Sequence, residues 1–156
     1  MTQEVKRSFS SNFQKRAEEC HRAAQESFSR SDWTAATICA VHGCISACDA
    51  ICVHFLGKRH SGEHHRDAVE LFKSIKPDEE IYIQNGFRLR RILAIKNMAE
   101  YEERLVYRSE AEKVLKDFDR FLAFTRAILP KCWADRLSEL LNTLSIFAQC
   151  IEHVNH

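Results

Sequence analysis

The chain reads as an all-α protein, an antiparallel bundle of five to six helices in one domain spanning residues 1–156. Three observations point there. Apolar residues recur at spacings of three and four in five separate stretches, the period of a helix with one buried face. Only four Gly and two Pro punctuate 156 residues, too few for the many tight turns of a sandwich or barrel. The connections between the striped stretches are short, as between antiparallel neighbours in a bundle.

Each element has its own signal. Phe13, Ala17, Cys20, Ala24 and Phe28 form a stripe that predicts a first helix from about Ser11 to Ser29. Ser31 or Asp32 then caps a second helix, Trp33 to Leu56, which Gly57 stops. The face of that helix is small: Ala36, Ala40, Cys44, Ala47 and Cys48. Small side chains let another helix approach closely, so this is the expected central helix. Lys58 to Gly62 reads as a polar loop, and Glu63 to Ser74 as a short helix with Ala68, Val69, Leu71 and Phe72 inward. Pro77-Asp78-Glu79-Glu80 starts a fourth helix with acids at its positive end, and the pattern runs on to about Arg104. Ser109-Glu110-Ala111-Glu112 has the form of a capping box for a fifth helix, striped by Ala111, Val114, Leu115, Phe118, Leu122, Thr125 and Leu129 and broken by Pro130. A last helix is expected over Trp133 to Ile151.

Composition narrows the class further. Apolar residues make up 45% and charged residues 29%, and the net charge is +1. That balance gives no general attraction to nucleic acid or acidic lipid. No uninterrupted apolar run reaches the ~18 residues of a membrane span, and no apolar core follows the basic N-terminus, so neither membrane partner nor secretory signal is expected. Four of the seven cysteines lie on the second helix, where stacked Cβ vectors run parallel and disfavour a disulfide. Free thiols in a reducing cytoplasm are the expectation, with no cofactor.

The fourth helix carries the chemistry. At 100° per residue, Ile81, Leu89, Ile92, Ile95 and Ala99 share a core face, while Phe87, Arg90, Ala94, Asn97, Met98 and Tyr101 share the opposite one. A helix apolar on two sides is either interior or packed on a second subunit. Phe87, Ala94, Met98 and Tyr101 are therefore the candidate interface of a homodimer.

Residues Lys96 to Tyr101, reading Lys-Asn-Met-Ala-Glu-Tyr, resemble the motif of the HEPN families: an Arg, often followed by Asn, then a few residues, then His. Lys96 stands at the Arg position, Asn97 matches, and Tyr101 stands at the His position. Ala47 to Leu71 resembles the second helix, loop and third helix of such proteins, and the likeness spans roughly residues 30 to 130. The resemblance implies an up-and-down helical core in a bacterial or archaeal protein. It implies pairing of protomers and an association with RNA, a nucleotidyltransferase or an antitoxin. Family ribonucleases use His to move a proton and Arg to hold a phosphate. A Tyr, with an ordinary pKa of about 10, is a poor base at neutral pH, and Lys lacks the guanidinium fork. The reading is therefore a non-catalytic interaction or regulatory module. Two alternatives are a metal-independent endoribonuclease using Arg90, Lys96, Asn97 and Tyr101, and a ligand-binding or structural bundle.

Two further sets have chemical meaning. His60, His64 and His65 are imidazoles of the kind that bind zinc, although Gly62 interrupts their spacing and no metal is expected. Lys58, Arg59 and His60, ahead of a helix N-terminus, could hold an anion.

Overall fold

A computed structural model describes residues 1–62 and 65–130. The protein is an all-α bundle whose helices among the described residues are α1 (Ser10–Ser29), α2 (Trp33–Leu56), α3 (His65–Lys73), α4 (Glu80–Ala94), α5 (Lys96–Tyr101) and α6 (Arg108–Ile128). A short 3-10 turn, Arg7–Phe9, precedes α1. The helix expected over Trp133 to Ile151 lies outside the described residues.

The small face of α2 decides how the helices meet. Ala36, Ala40, Val41, Cys44, Ala47, Ala50 and Ile51 are completely buried. Gly43 lies where α1 and α6 close on α2. A Cβ at this position would collide with the Phe118 ring and come within 2.9 Å of Cys20 Cβ. Pairings between helices give their directions. Ser10 Oγ donates to the Ala50 carbonyl at 2.8 Å, while Phe28 packs edge-on against Trp33 at the other end, so α1 and α2 are antiparallel. His21 meets Asp119 at 2.6 Å, and Arg126 grips Glu18 with two bonds of 2.7 and 2.6 Å, so α1 and α6 are antiparallel. Arg91 grips Asp117 in the same bidentate way and Tyr82 packs on Phe124, so α4 also opposes α6.

An aromatic cluster closes the far side of the core. Phe72 of α3 stacks on Tyr82 of α4 at 5.5 Å and touches Phe121 and Phe124 of α6. A second, smaller cluster of Ala99, Val106 and Ala111 joins α5 to the start of α6, with Trp33, Ile38 and Met98 packed around it. α2 is also long and apolar enough to cross a membrane, but 78% of that window is buried inside the protein. The five cysteines among the described residues are unbonded; Cys48 and Cys52 have sulfurs 4.0 Å apart, one helical turn along α2.

Four expectations need correction. Lys58 to His60 is not a loop: as strand β2 (Lys58–His60) it pairs antiparallel with β1 (Thr2–Glu4), in the register Thr2 with His60 and Glu4 with Lys58. The fourth helix does not run from Pro77 to Arg104. It starts at Glu80 and breaks at Ile95, whose N–H closes on the Ile92 carbonyl at 3.3 Å; α5 then turns to the second cluster and ends at Tyr101. Ile81 is 46% exposed rather than in the core, and its place is taken by Tyr82. The cap of α6 sits earlier than Ser109: Glu110 accepts from the Tyr107 N–H at 2.9 Å. Arg104 and that N–H hold the Glu110 carboxyl down to about 2.

The crossing at Gly43 makes a direct prediction. Gly43→Ala gains helix propensity but forces the Phe118 ring and α1 outward, and overpacking of this kind costs about 1–3 kcal/mol. Thermal unfolding should show a Tm several degrees lower. An unchanged or raised Tm would mean the three helices yield freely there.

Candidate functional site

α4 has a cavity on each side, and buried Leu93 lines both. The outer one is a groove of about 470 Å³ between α3 and α4, lined by Arg66, Val69, Glu70, Arg90, Leu93, Ala94 and Asn97. Val69 and Leu93 form its buried floor. Arg66, Glu70, Arg90, Ala94 and Asn97 stand at its open rim. Two guanidinium groups and an amide over an apolar floor can hold a flat or anionic group, with Glu70 opposing it.

The inner cavity, about 130 Å³, lies under β2 and is lined by residues of six segments: Ile45, Cys48 and Asp49 from α2, Arg59 and His60 from β2, Gly62 just beyond it, Ala68 from α3, Leu89 and Leu93 from α4, and Lys96 from α5. Asp49 is the only Asp, Glu, Lys or Arg in the 24 residues of α2. It is 7% exposed, and burial pushes its carboxyl up to about 6 against the pull of Arg59 and Arg16. Arg59 stands 3.5 Å away, donates to Gln3 of β1 at 3.1 Å and lies over the Phe13 ring. The β1–β2 ribbon is thus tied to the buried acid through one guanidinium.

The structure separates the residues that the motif places together. Arg90 and Asn97 share the outer groove. Lys96 lines the inner cavity, and Tyr101 lines neither, standing 76% exposed. Among the interface candidates, Phe87 is 53% exposed and Ala94 is exposed. Met98 is half-buried and packs on the cluster of Ala99, Val106 and Ala111, so much of its surface serves its own protomer. Of the basic stretch on α4, Arg91 is committed to Asp117 and Arg88 donates to Asn85. Of the anion set, Arg59 and His60 reach the cavity, whereas Lys58 is not among its lining residues. His64 lies outside the described residues, and His65 opens α3.

Two residues were missed by pattern reading. Asp49 had a signal: a single carboxylate in a helix otherwise free of Asp, Glu, Lys and Arg. Arg66 had none, because an exposed Arg early in a helix is commonplace. Comparison of the sequence with protein-family models and with curated proteins finds no match.

Asp49 links the cavity to stability. Its folded pKa lies above the ordinary value, so between about pH 4 and 6 the folded chain binds more protons than the unfolded one, and stability falls as pH rises through that window. A rise from 3.8 to about 6 corresponds to about 3 kcal/mol lost once the group is ionised. Asp49→Asn should therefore raise Tm at neutral pH, with the gain vanishing below about pH 4. A lower Tm at neutral pH would mean that the Arg59 pairing outweighs the cost of burial.

Proposed function

We propose that this chain is a non-catalytic, HEPN-like interaction module that self-associates through the exposed aromatic side chains of α4 and α5. The observation that carries the reading is the dispersal of the four candidate catalytic residues. A cleavage site needs a proton acceptor beside the group that holds the phosphate. Arg90 and Asn97 line one cavity, Lys96 lines another, and Tyr101 lies outside both. Among the described residues that line the groove there is no imidazole.

Exposed apolar side chains support the interaction side of the reading. Phe87 on α4, Tyr101 at the end of α5, and Leu105 and Tyr107 just beyond are between 53% and 76% exposed. Aromatic residues held rigidly at a surface are the usual anchors of interfaces. A partner protein, such as a nucleotidyltransferase or an antitoxin, is a further candidate for the same surface, on the resemblance of this chain to HEPN proteins.

A second reading keeps RNA in view. Arg66 and Arg90 face one groove whose volume would admit a nucleotide, and two arginines there could hold its phosphate. An endoribonuclease of altered site would use that groove.

Light scattering and an RNA incubation without metal decide between them. The wild type should exceed monomer mass at micromolar concentration, and Phe87→Asp paired with Tyr101→Asp should reduce it to a folded monomer, because the new charges are solvated only when the subunits part. Met98→Asp should instead lower Tm. Neither the wild type nor the Lys96→Arg, Tyr101→His double variant should cleave RNA. A monomeric wild type removes self-association from the proposal. Cleavage by the wild type that Arg90→Ala abolishes establishes the ribonuclease reading instead.

A further inference from the structure

The inner cavity leaves chemistry unmet. Both ring nitrogens of His60 are closed to solvent and have no hydrogen-bond partner among the described residues. Leaving a buried polar group unpaired costs about 1–3 kcal/mol, so such a group points to something that pairs with it. The backbone makes room for this ring: a Cβ on Gly62 would come within 3.0 Å of His60 Cε1 and 3.3 Å of Nε2. Around the same space stand a guanidinium, an ammonium and a carboxylate, from Arg59, Lys96 and Asp49.

We propose that this cavity binds inorganic phosphate, held by Arg59, His60 and Lys96 and selected by Asp49. Charge gives the sign of the ligand. Two fixed cations outweigh one carboxylate, so an anion is favoured over a metal ion, and among the described residues no three metal-ligating side chains converge. Volume gives its size. About 130 Å³ is roughly four times the volume of one liquid water, which suits a five-atom oxyanion and excludes a whole nucleotide. Asp49 gives its identity. A neutral imidazole offers one N–H and one acceptor, Arg and Lys only donate, and an ionised carboxylate only accepts. Near neutral pH, hydrogen phosphate carries an O–H that can donate to Asp49. Sulfate carries none, and its bare oxygen would face the carboxylate as an unpaired like charge, the kind of repulsion that sets specificity. Arg59 already spans Asp49 and Gln3, so it is positioned before the ligand arrives.

Titration calorimetry on the full chain, in chloride buffer of constant ionic strength near neutral pH, tests this with inorganic phosphate and sulfate as probes. Phosphate should bind at one site, with sulfate at least tenfold weaker. Lys96→Gln should weaken phosphate at least tenfold while keeping a wild-type circular dichroism spectrum, and Lys116→Gln, at an exposed position of α6, should leave it unchanged. Asp49→Asn keeps every donor and removes the repulsion, so it should bring sulfate up to the affinity of phosphate; this arm stands even if Lys96→Gln fails to fold. Three results would overturn the proposal: no phosphate binding at millimolar concentration, sulfate binding the wild type as well as phosphate does, or full affinity in folded Lys96→Gln.

Discussion

Close approach at Gly43 is the constraint on which the rest of the structure depends. With Phe118 of α6 and Cys20 of α1 both seated against that one missing side chain, three helices share a single crossing. Small residues on either side, Ala36, Ala40, Cys44 and Ala47, are fully buried and extend the contact along α2. Close packing is what gives such an interior its stability, because dispersion falls off steeply with distance. The large side chains are then displaced outward, to the Phe72, Tyr82, Phe121 and Phe124 cluster, and α3 and α4 must come in to cover them. Ion pairs across the outside, Glu18 with Arg126 and Asp117 with Arg91, register the helices but are too exposed to supply much of the stability.

Helices were legible in the sequence because their cause is local. A stripe of period 3.6 survives whatever the rest of the chain does, and α1 and α2 begin and end within a residue of the spacing read from it. The β1–β2 ribbon was illegible because its cause is remote. Thr2 pairs with His60, and neither strand shows an alternating apolar pattern that would announce it. The break at Ile95 was hidden for another reason. No Gly or Pro marks it, and the stripe continues through it, yet α4 serves the large core and α5 serves the small cluster around Ala99. One periodic pattern thus covers two helices with separate packing partners.

The candidate site follows the same division. A helical wheel sets Phe87, Arg90, Ala94 and Asn97 opposite the core face without saying whether that face is interior, and all four are exposed. Met98 and Lys96 depended on what lies opposite, and no wheel carries that information: one meets the second cluster, the other the cavity beneath a strand that the sequence did not announce. Motif spacing alone groups Lys96, Asn97 and Tyr101, since they are near in sequence. Consecutive positions on a helix point about 100° apart, so adjacent residues such as Lys96 and Asn97 reach different spaces as a matter of course.

Asp49 shows how one buried charge can organise what surrounds it. A carboxylate cannot sit in an apolar helix without either a partner or a raised pKa, and this one has both. Its partner must arrive from outside α2, and Arg59 comes from the segment just past Gly57, where the left-handed turn (φ 68°) reverses the chain. That reversal lets the strand pair with the N-terminal residues, because the Gly57 carbonyl accepts from Val5 at 2.9 Å and Gln3 shares the guanidinium. The ribbon therefore roofs a space whose floor is Cys48, Leu89 and Leu93. Aliphatic side chains there would fill and dry the gap. The chain instead places an imidazole, an ammonium and an ion pair around it, and polar groups so arranged gain their full stabilisation only when every donor and acceptor is matched.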